Sequence, residues 1–191
     1  MINKIMLQKL SKEYKNHVSM FYLVNQQSNV ALHKSKQAIF SLQRDQISEA
    51  EKSLEEVEKI FIKLQGSLTK SPQLLYAGAY KAALEEYAEA KLFWQAIKLG
   101  QLKEISEIKL GFESYLGGIC DLTGELVRKI VLLATEDKVE KARELKELIT
   151  QVVGELIKLD LTGYLRTKYD DAKRNLKKAE EILYDLKIRS K

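Results

Sequence analysis

The sequence predicts an all-α protein of long helices, and three observations carry that prediction. Its 191 residues include only one proline and nine glycines, so little interrupts a helix, while charged residues reach 31%. Leu7, Leu10, Tyr14, His17, Phe21, Val24, Ser28, Ala31, Ser35, Ala38 and Leu42 alternate by threes and fours without a break, a heptad seam. No segment shows strand alternation with turn chemistry.

Seven helices follow in order. The first carries that seam and, at about 40 residues, is ~60 Å long; its polar positions His17, Ser28 and Ser35 suit a bundle or an assembly. Ser48-Glu49-Ala50-Glu51 reads as a capping box opening a second helix, with the seam Ala50, Leu54, Val57, Phe61, Leu64, Leu68. Gly66 and Ser71-Pro72 mark a break, and serine before a first-turn proline starts a third helix running to Leu99 and Gly100. Residues 101–110 read as a short fourth helix ended by Gly111, and a fifth covers 113–134. Thr135 reads as the cap of a sixth over 136–158. Thr162-Gly163 separates off a seventh, whose seam is Leu165, Tyr169, Ala172, Leu176, Ala179, Leu183, Leu186.

Length and composition fit a single domain over residues 1–191 with a sizeable core. No apolar run approaches a membrane span and the N-terminus lacks a signal-peptide pattern, so no membrane partner is expected. One cysteine excludes an internal disulfide and a cysteine-based zinc site, which suits a reducing, cytoplasmic setting. The net charge of +5 divides into +6 over residues 1–44, −5 over 45–163 and +4 over 164–191. Basic ends around an acidic middle suit a polyanion held near a metal-binding centre, although lysine-rich helix faces are also common solvent coats.

The chemistry concentrates in two helical motifs. Glu86 and Glu89 lie three apart, and Asp121 and Glu125 four apart, so each pair shares a helix face. Around the first pair the stripe Ala79, Ala83, Glu86, Ala90, Phe93, Ile97 puts Glu86 where a core residue belongs. An inward carboxylate is costly unless neutralised. Gly117, Gly118 and Gly124 flank the second pair, and glycine within a helix costs about 1 kcal/mol each relative to alanine, a cost that close approach of a helix or ligand offsets. The pattern reads as a cleft beside a metal site. Hard cations such as Mg²⁺ take oxygen ligands, and four convergent carboxylates suit one or two ions, an oriented water and a phosphodiester in flight. Arg128, one turn beyond Glu125, is placed to neutralise phosphate. Exposed acidic pairs engaged in ordinary ion pairs are the plainer alternative. A di-iron bundle needs Glu-x-x-His on two helices; His17 and His33 share one helix and neither follows a glutamate by three. Cys120 reads as a small buried hydrophobe, and Phe93, Trp94, Tyr164, Tyr169 and Tyr184 as packing residues.

These same residues resemble the translin superfamily, in its translin-associated protein X type. Glu86-Tyr87-Ala88-Glu89-Ala90 resembles that type's E-Y-x-E-A motif, and residues Tyr115 to Leu126 its Y-L-x-G-x-x-D-L-T-G-E-L segment. Residues Ser35 to Arg44 are similar to its S-K-x-x-I-F-x-L-x-R stretch, and Lys168-Tyr169-Asp170 and Tyr184 to Arg189 resemble a translin ending. The resemblance implies a seven-helix translin-type bundle with long antiparallel helices, assembling into a hollow homo-oligomer, typically an octamer, that binds RNA or single-stranded DNA. It implies that Glu86, Glu89, Asp121 and Glu125 are the catalytic, metal-binding set of an endoribonuclease using Mg²⁺, with Mn²⁺ as a substitute. The chain departs from the pattern at Asn29, where a basic residue is usual, and at Gln43, where histidine is usual. Nucleic-acid contact then falls to Lys34, Lys36, Arg44 and Arg128. The alternative is a non-catalytic RNA or single-stranded DNA binding protein of the translin type, and beyond it a purely structural helical oligomer.

Overall fold

The computed structural model describes residues 3–69 and 71–189, so Met1, Ile2, Lys70, Ser190 and Lys191, at the ends and in the middle of the expected domain, lie outside the described residues. Among the described residues the chain forms six α-helices and no strand: α1 Lys4–Gln43, α2 Ile47–Leu68, α3 Gly78–Leu99, α4 Phe112–Thr135, α5 Val139–Leu156 and α6 Gly163–Arg189. Short 3₁₀ turns, Pro72–Tyr76 and Ile157–Leu159, precede α3 and follow α5. The all-α class holds; the helix count is six where seven were expected.

Helices α2 and α3 pack on α1, α4 packs on α3, and α5 and α6 pack on α4 and on each other. α1 begins at Asn3, whose side-chain oxygen accepts from the backbone N–H groups of Ile5 and Met6 at 3.0 and 3.2 Å. Its seam is buried from Val24 through Leu42, whereas Leu7, Leu10, Tyr14 and Phe21 of the same seam are exposed. Its far end is closed by a residue of α4. The Lys129 ammonium, on a side chain only 4% exposed, donates to the Leu42 and Gln43 carbonyls at 3.3 and 3.1 Å and to Asp45 at 2.8 Å. In the core Phe61 of α2 meets Tyr80 and Tyr87 of α3 edge to face, with centroids 5.8 and 5.9 Å apart.

Several boundaries differ from expectation. Residues 101–110 are not helical, because side chains satisfy that backbone instead. Gln95 Oε1 accepts from the Lys103 N–H at 2.6 Å, Tyr115 Oη from the Ile105 N–H at 3.0 Å, and the Gln65 amide pairs with both backbone groups of Lys109 at 2.7 and 3.2 Å. Ile105 and Ile108 are buried, and Lys91 ties Glu107 at 2.7 Å and Glu58 at 2.8 Å. Pro72 opens only a 3₁₀ turn, since Ala77 turns extended (ψ 130°) before α3 begins. α2 starts at Ile47 with no side-chain cap, so Ser48 is not its cap. Thr135 is the last residue of α4, its hydroxyl donating to Leu132 O at 2.7 Å, and Asp137 at φ 57° turns the chain towards α5. Gly66 passes through α2 without breaking it. Among the described residues no helix is long and apolar enough to cross a membrane.

Candidate functional site

The contact between α3 and α4 builds the site, and Gly118 permits it. A Cβ there would lie 2.7 Å from Ala88 Cβ and 2.8 Å from the Glu89 backbone nitrogen. Gly118 thus serves close helix packing. Gly117 leaves room for the Glu85 carboxylate, and Gly124 merely touches Asn175 of α6 at 3.5 Å.

That close approach brings all four predicted carboxylates into one electrostatic neighbourhood. Burial, then the charges of Asp121, Glu86 and Glu125, push the Glu89 carboxyl up to about 9. Burial likewise raises Glu86; Lys36 opposes the shift while Asp121 and Glu125 add to it. Asp121 is raised by burial against the pull of Lys168, with Glu85 pushing the same way as burial. Coulomb repulsion fades with distance, so this mutual influence from two helices reports convergence.

The oxygens do not close into a ligand shell. Among the described residues no three His, Cys, Asp or Glu side chains stand ready to hold an ion. Three of the four carboxylates turn to separate partners. Glu86 faces Lys36 of α1 at 3.7 Å, Asp121 pairs with Lys168 of α6, and Glu125 accepts from the Gln43 amide at 2.7 Å with Arg128 at 3.8 Å. Glu89 alone of the four makes no hydrogen bond or ion pair among the described residues. A cleft of about 400 Å³ opens beside the group, with Glu85, Glu86, Asp121, Tyr164 and Lys168 on its wall.

The predicted nucleic-acid contacts divide. Lys36 and Arg128 border the acidic centre. Lys34 instead pairs with Glu56 of α2, and the Arg44 guanidinium lies 3.5 Å over the Phe40 ring. Cys120 is buried, its thiol pushed up to about 12 by burial and then by the Asp121 charge, which suits packing rather than nucleophilic attack.

Glu85, Tyr164, Lys168 and Gln43 also take part in the site, beyond the four carboxylates that the motifs single out. Glu85 receives the Tyr164 hydroxyl and lies 2.8 Å from the Lys168 ammonium. Its spacing of four from Glu89 was the available signal. Lys168 and Tyr164 arrive from α6, and nothing local in the sequence ties α6 to this face. Gln43 was visible only as a departure from a resembling motif, yet it holds Glu125.

Comparison with known proteins agrees with this architecture. An 81-residue stretch is 35% identical to translin of Gallus gallus, covering 42% of this chain and 35% of that protein, so the match spans about a third of that relative's length. Translin-associated protein X of Mus musculus is 25% identical over 198 aligned positions, 82% of this chain and 68% of that protein. The crystal structure of apo-NeC3PO superposes with a TM-score of 0.88 at 24% identity, covering 97% of this chain and 98% of that one. The crystal structure of AfC3PO gives 0.89 at 20% identity over 96% and 98%, and an AfC3PO–duplex RNA complex 0.89 at 19% over 96% and 97%. At these identities the structural likeness speaks for the fold. The sequence matches the Translin family from residue 6 to residue 190, nearly end to end, and the chain belongs to that family.

Proposed function

We propose that this protein is a Mg²⁺-dependent endoribonuclease that cuts single-stranded RNA within a shell of its own copies. The observation that carries the reading is the crowding of Glu86, Glu89, Asp121 and Glu125, with Glu89 raised to about 9 by burial and its acidic neighbours against the weaker pull of Lys168. The donors fit a hard divalent cation: all are carboxylate oxygens, and their repulsion is of the kind such an ion relieves. Glu86, Glu89, Asp121 and Glu125 would hold Mg²⁺, or Mn²⁺ in its place. A bound ion of this kind supplies a polarised water and charge stabilisation at a phosphodiester. Of the protein groups, Gln43 orients Glu125, and one carboxylate of the set accepts the proton of the attacking water. Lys36 and Arg128 stand beside the centre to meet phosphate, with Lys34 and Arg44 further basic contacts on α1. RNA as the ligand class is supported by the complex of a protein of this fold with duplex RNA. Self-association is supported by the apolar side chains that α1 leaves exposed, Leu7, Leu10, Tyr14 and Tyr22 among them.

A second reading, a non-catalytic RNA or single-stranded DNA binder, draws on one specific observation: three of the four carboxylates already have protein partners and no ligand shell is closed. Purified Glu125→Ala separates the two. It loses Mg²⁺-dependent cleavage while keeping RNA binding and assembly; cleavage equal to the parent, or parental cleavage that survives chelation, overturns the nuclease reading.

A further inference from the structure

Three helices converge on the Lys168 ammonium. From α6 it reaches Glu85 of α3 at 2.8 Å and, at hydrogen-bonding distance, Asp121 of α4. Tyr164, one turn earlier on α6, donates to the same Glu85, and its ring centroid lies 5.4 Å from the ammonium. Gly117 is what lets the Glu85 carboxylate lie there, since any side chain at that position would overlap it. The ammonium is not sealed away: it stands on the wall of the 400 Å³ cleft, with Glu86 and Asp121 beside it.

This placement creates a conflict. A divalent ion at the acidic centre would draw on the Asp121 carboxylate, one oxygen of which Lys168 now holds. With the ion in place, two cations would share one carboxylate, and their repulsion in a partly desolvated cleft is substantial. An anionic oxygen between them resolves it, and a phosphodiester brings such an oxygen. Glu85 and Tyr164 keep the side chain tethered through the exchange. The geometry points to Lys168 as a built-in counter-ion that neutralises Asp121 while no divalent cation is bound and turns to the RNA phosphate when the cation binds. Cation and RNA then bind cooperatively through this one residue, and linkage requires the coupling to be equal in both directions. The inference rests on the nuclease reading above. The plainer role, an ion pair tying α6 to the α3–α4 face, predicts a different outcome.

The test is Mn²⁺ titration of the intact protein by calorimetry, with and without a nuclease-resistant 2′-O-methyl oligoribonucleotide. Without RNA, Lys168→Met binds Mn²⁺ roughly fivefold more tightly than the parent, because a competing ion pair is gone. RNA tightens Mn²⁺ binding in the parent and in Lys168→Arg, and has little effect in Lys168→Met. Lys168→Gln serves the same comparison if the methionine variant does not fold. Unchanged or weaker Mn²⁺ binding in the folded variant overturns the inference and assigns Lys168 to structure. Parental Mn²⁺ uptake that Glu125→Ala abolishes is the control. Without such uptake the nuclease reading fails and takes this one with it; uptake with no Lys168 effect removes this one alone.

Discussion

Gln43 holds Glu125 at two points, donating to its carboxylate at 2.7 Å and to its backbone carbonyl at 2.9 Å. The end of α1 is thereby fastened to the turn of α4 that carries a proposed ligand, and Lys129 fixes Gln43 from behind. Groups that orient a metal ligand typically contribute about 10–100-fold to ion affinity. Gln43→Ala should therefore weaken Mn²⁺ binding by roughly tenfold at the low end of that range, with α-helical circular dichroism unchanged. Undiminished affinity would separate this amide from the site.

The glycines of α4 make a sharper pair. Gly118→Ala forces a methyl group against Ala88 and the Glu89 backbone, which cannot move aside cheaply. Overpacking of this kind costs about 1–3 kcal/mol. Gly124→Ala meets only the Asn175 amide at ordinary contact distance and should be neutral or stabilising by up to about 1 kcal/mol. Urea unfolding of the two variants reads both signs.

Glu89 makes stability fall as pH rises. Below its ordinary value of 4.5 the carboxyl is protonated whether the chain is folded or not. As pH rises towards about 9 the unfolded chain gives up that proton while the folded one retains it, so the stability present at low pH is lost through this window. Glu89→Gln, unable to ionise, should melt above the metal-free parent near pH ~8, by about 2–4 °C for each kcal/mol relieved. The difference should vanish near pH ~4. Parental Mn²⁺ affinity should rise over the same window, since the ion displaces protons. A variant that melts below the parent near pH ~8 contradicts the assignment.

Lys91 pins the non-helical segment before α4. Its ammonium, on a nearly buried side chain, bonds Glu58 and Glu107 at 2.8 and 2.7 Å. Lys91→Met leaves both carboxylates without that partner and should cost about 1.5–3 kcal/mol, the range for a hydrogen bond to a charged group. Thermal melts measure the loss, and early proteolysis at residues 101–110 would locate it.

Much of this was legible in the chain, for physical reasons that also set the limits. Heptad spacing reports helices faithfully, so α1, α2 and α6 carry the seams expected of them. It does not report what a seam meets: Leu7 and Leu42 obey one pattern, yet only Leu42 is buried. Residues 101–110 are not helical because their backbone is satisfied by side chains of the flanking helices, Gln95 and Tyr115, and by the distant Gln65, pairings that helical periodicity does not report. Glu86, Glu89, Asp121 and Glu125 stood out because carboxylates among alanines and glycines break the helical stripe. Lys168 and Tyr164 stayed hidden because only tertiary packing carries α6 to them.

α1 is anchored along only part of its length, and that asymmetry gives assembly a signal of its own. Amides from Lys4 to Leu23 sit on a largely bare arm and should exchange with deuterium orders of magnitude faster than those after Val24, which open only with the core. Wherever a second copy covers the arm, its exchange should slow as protein concentration rises, while the inner half stays indifferent to dilution. A single helix would then report folding at one end and association at the other.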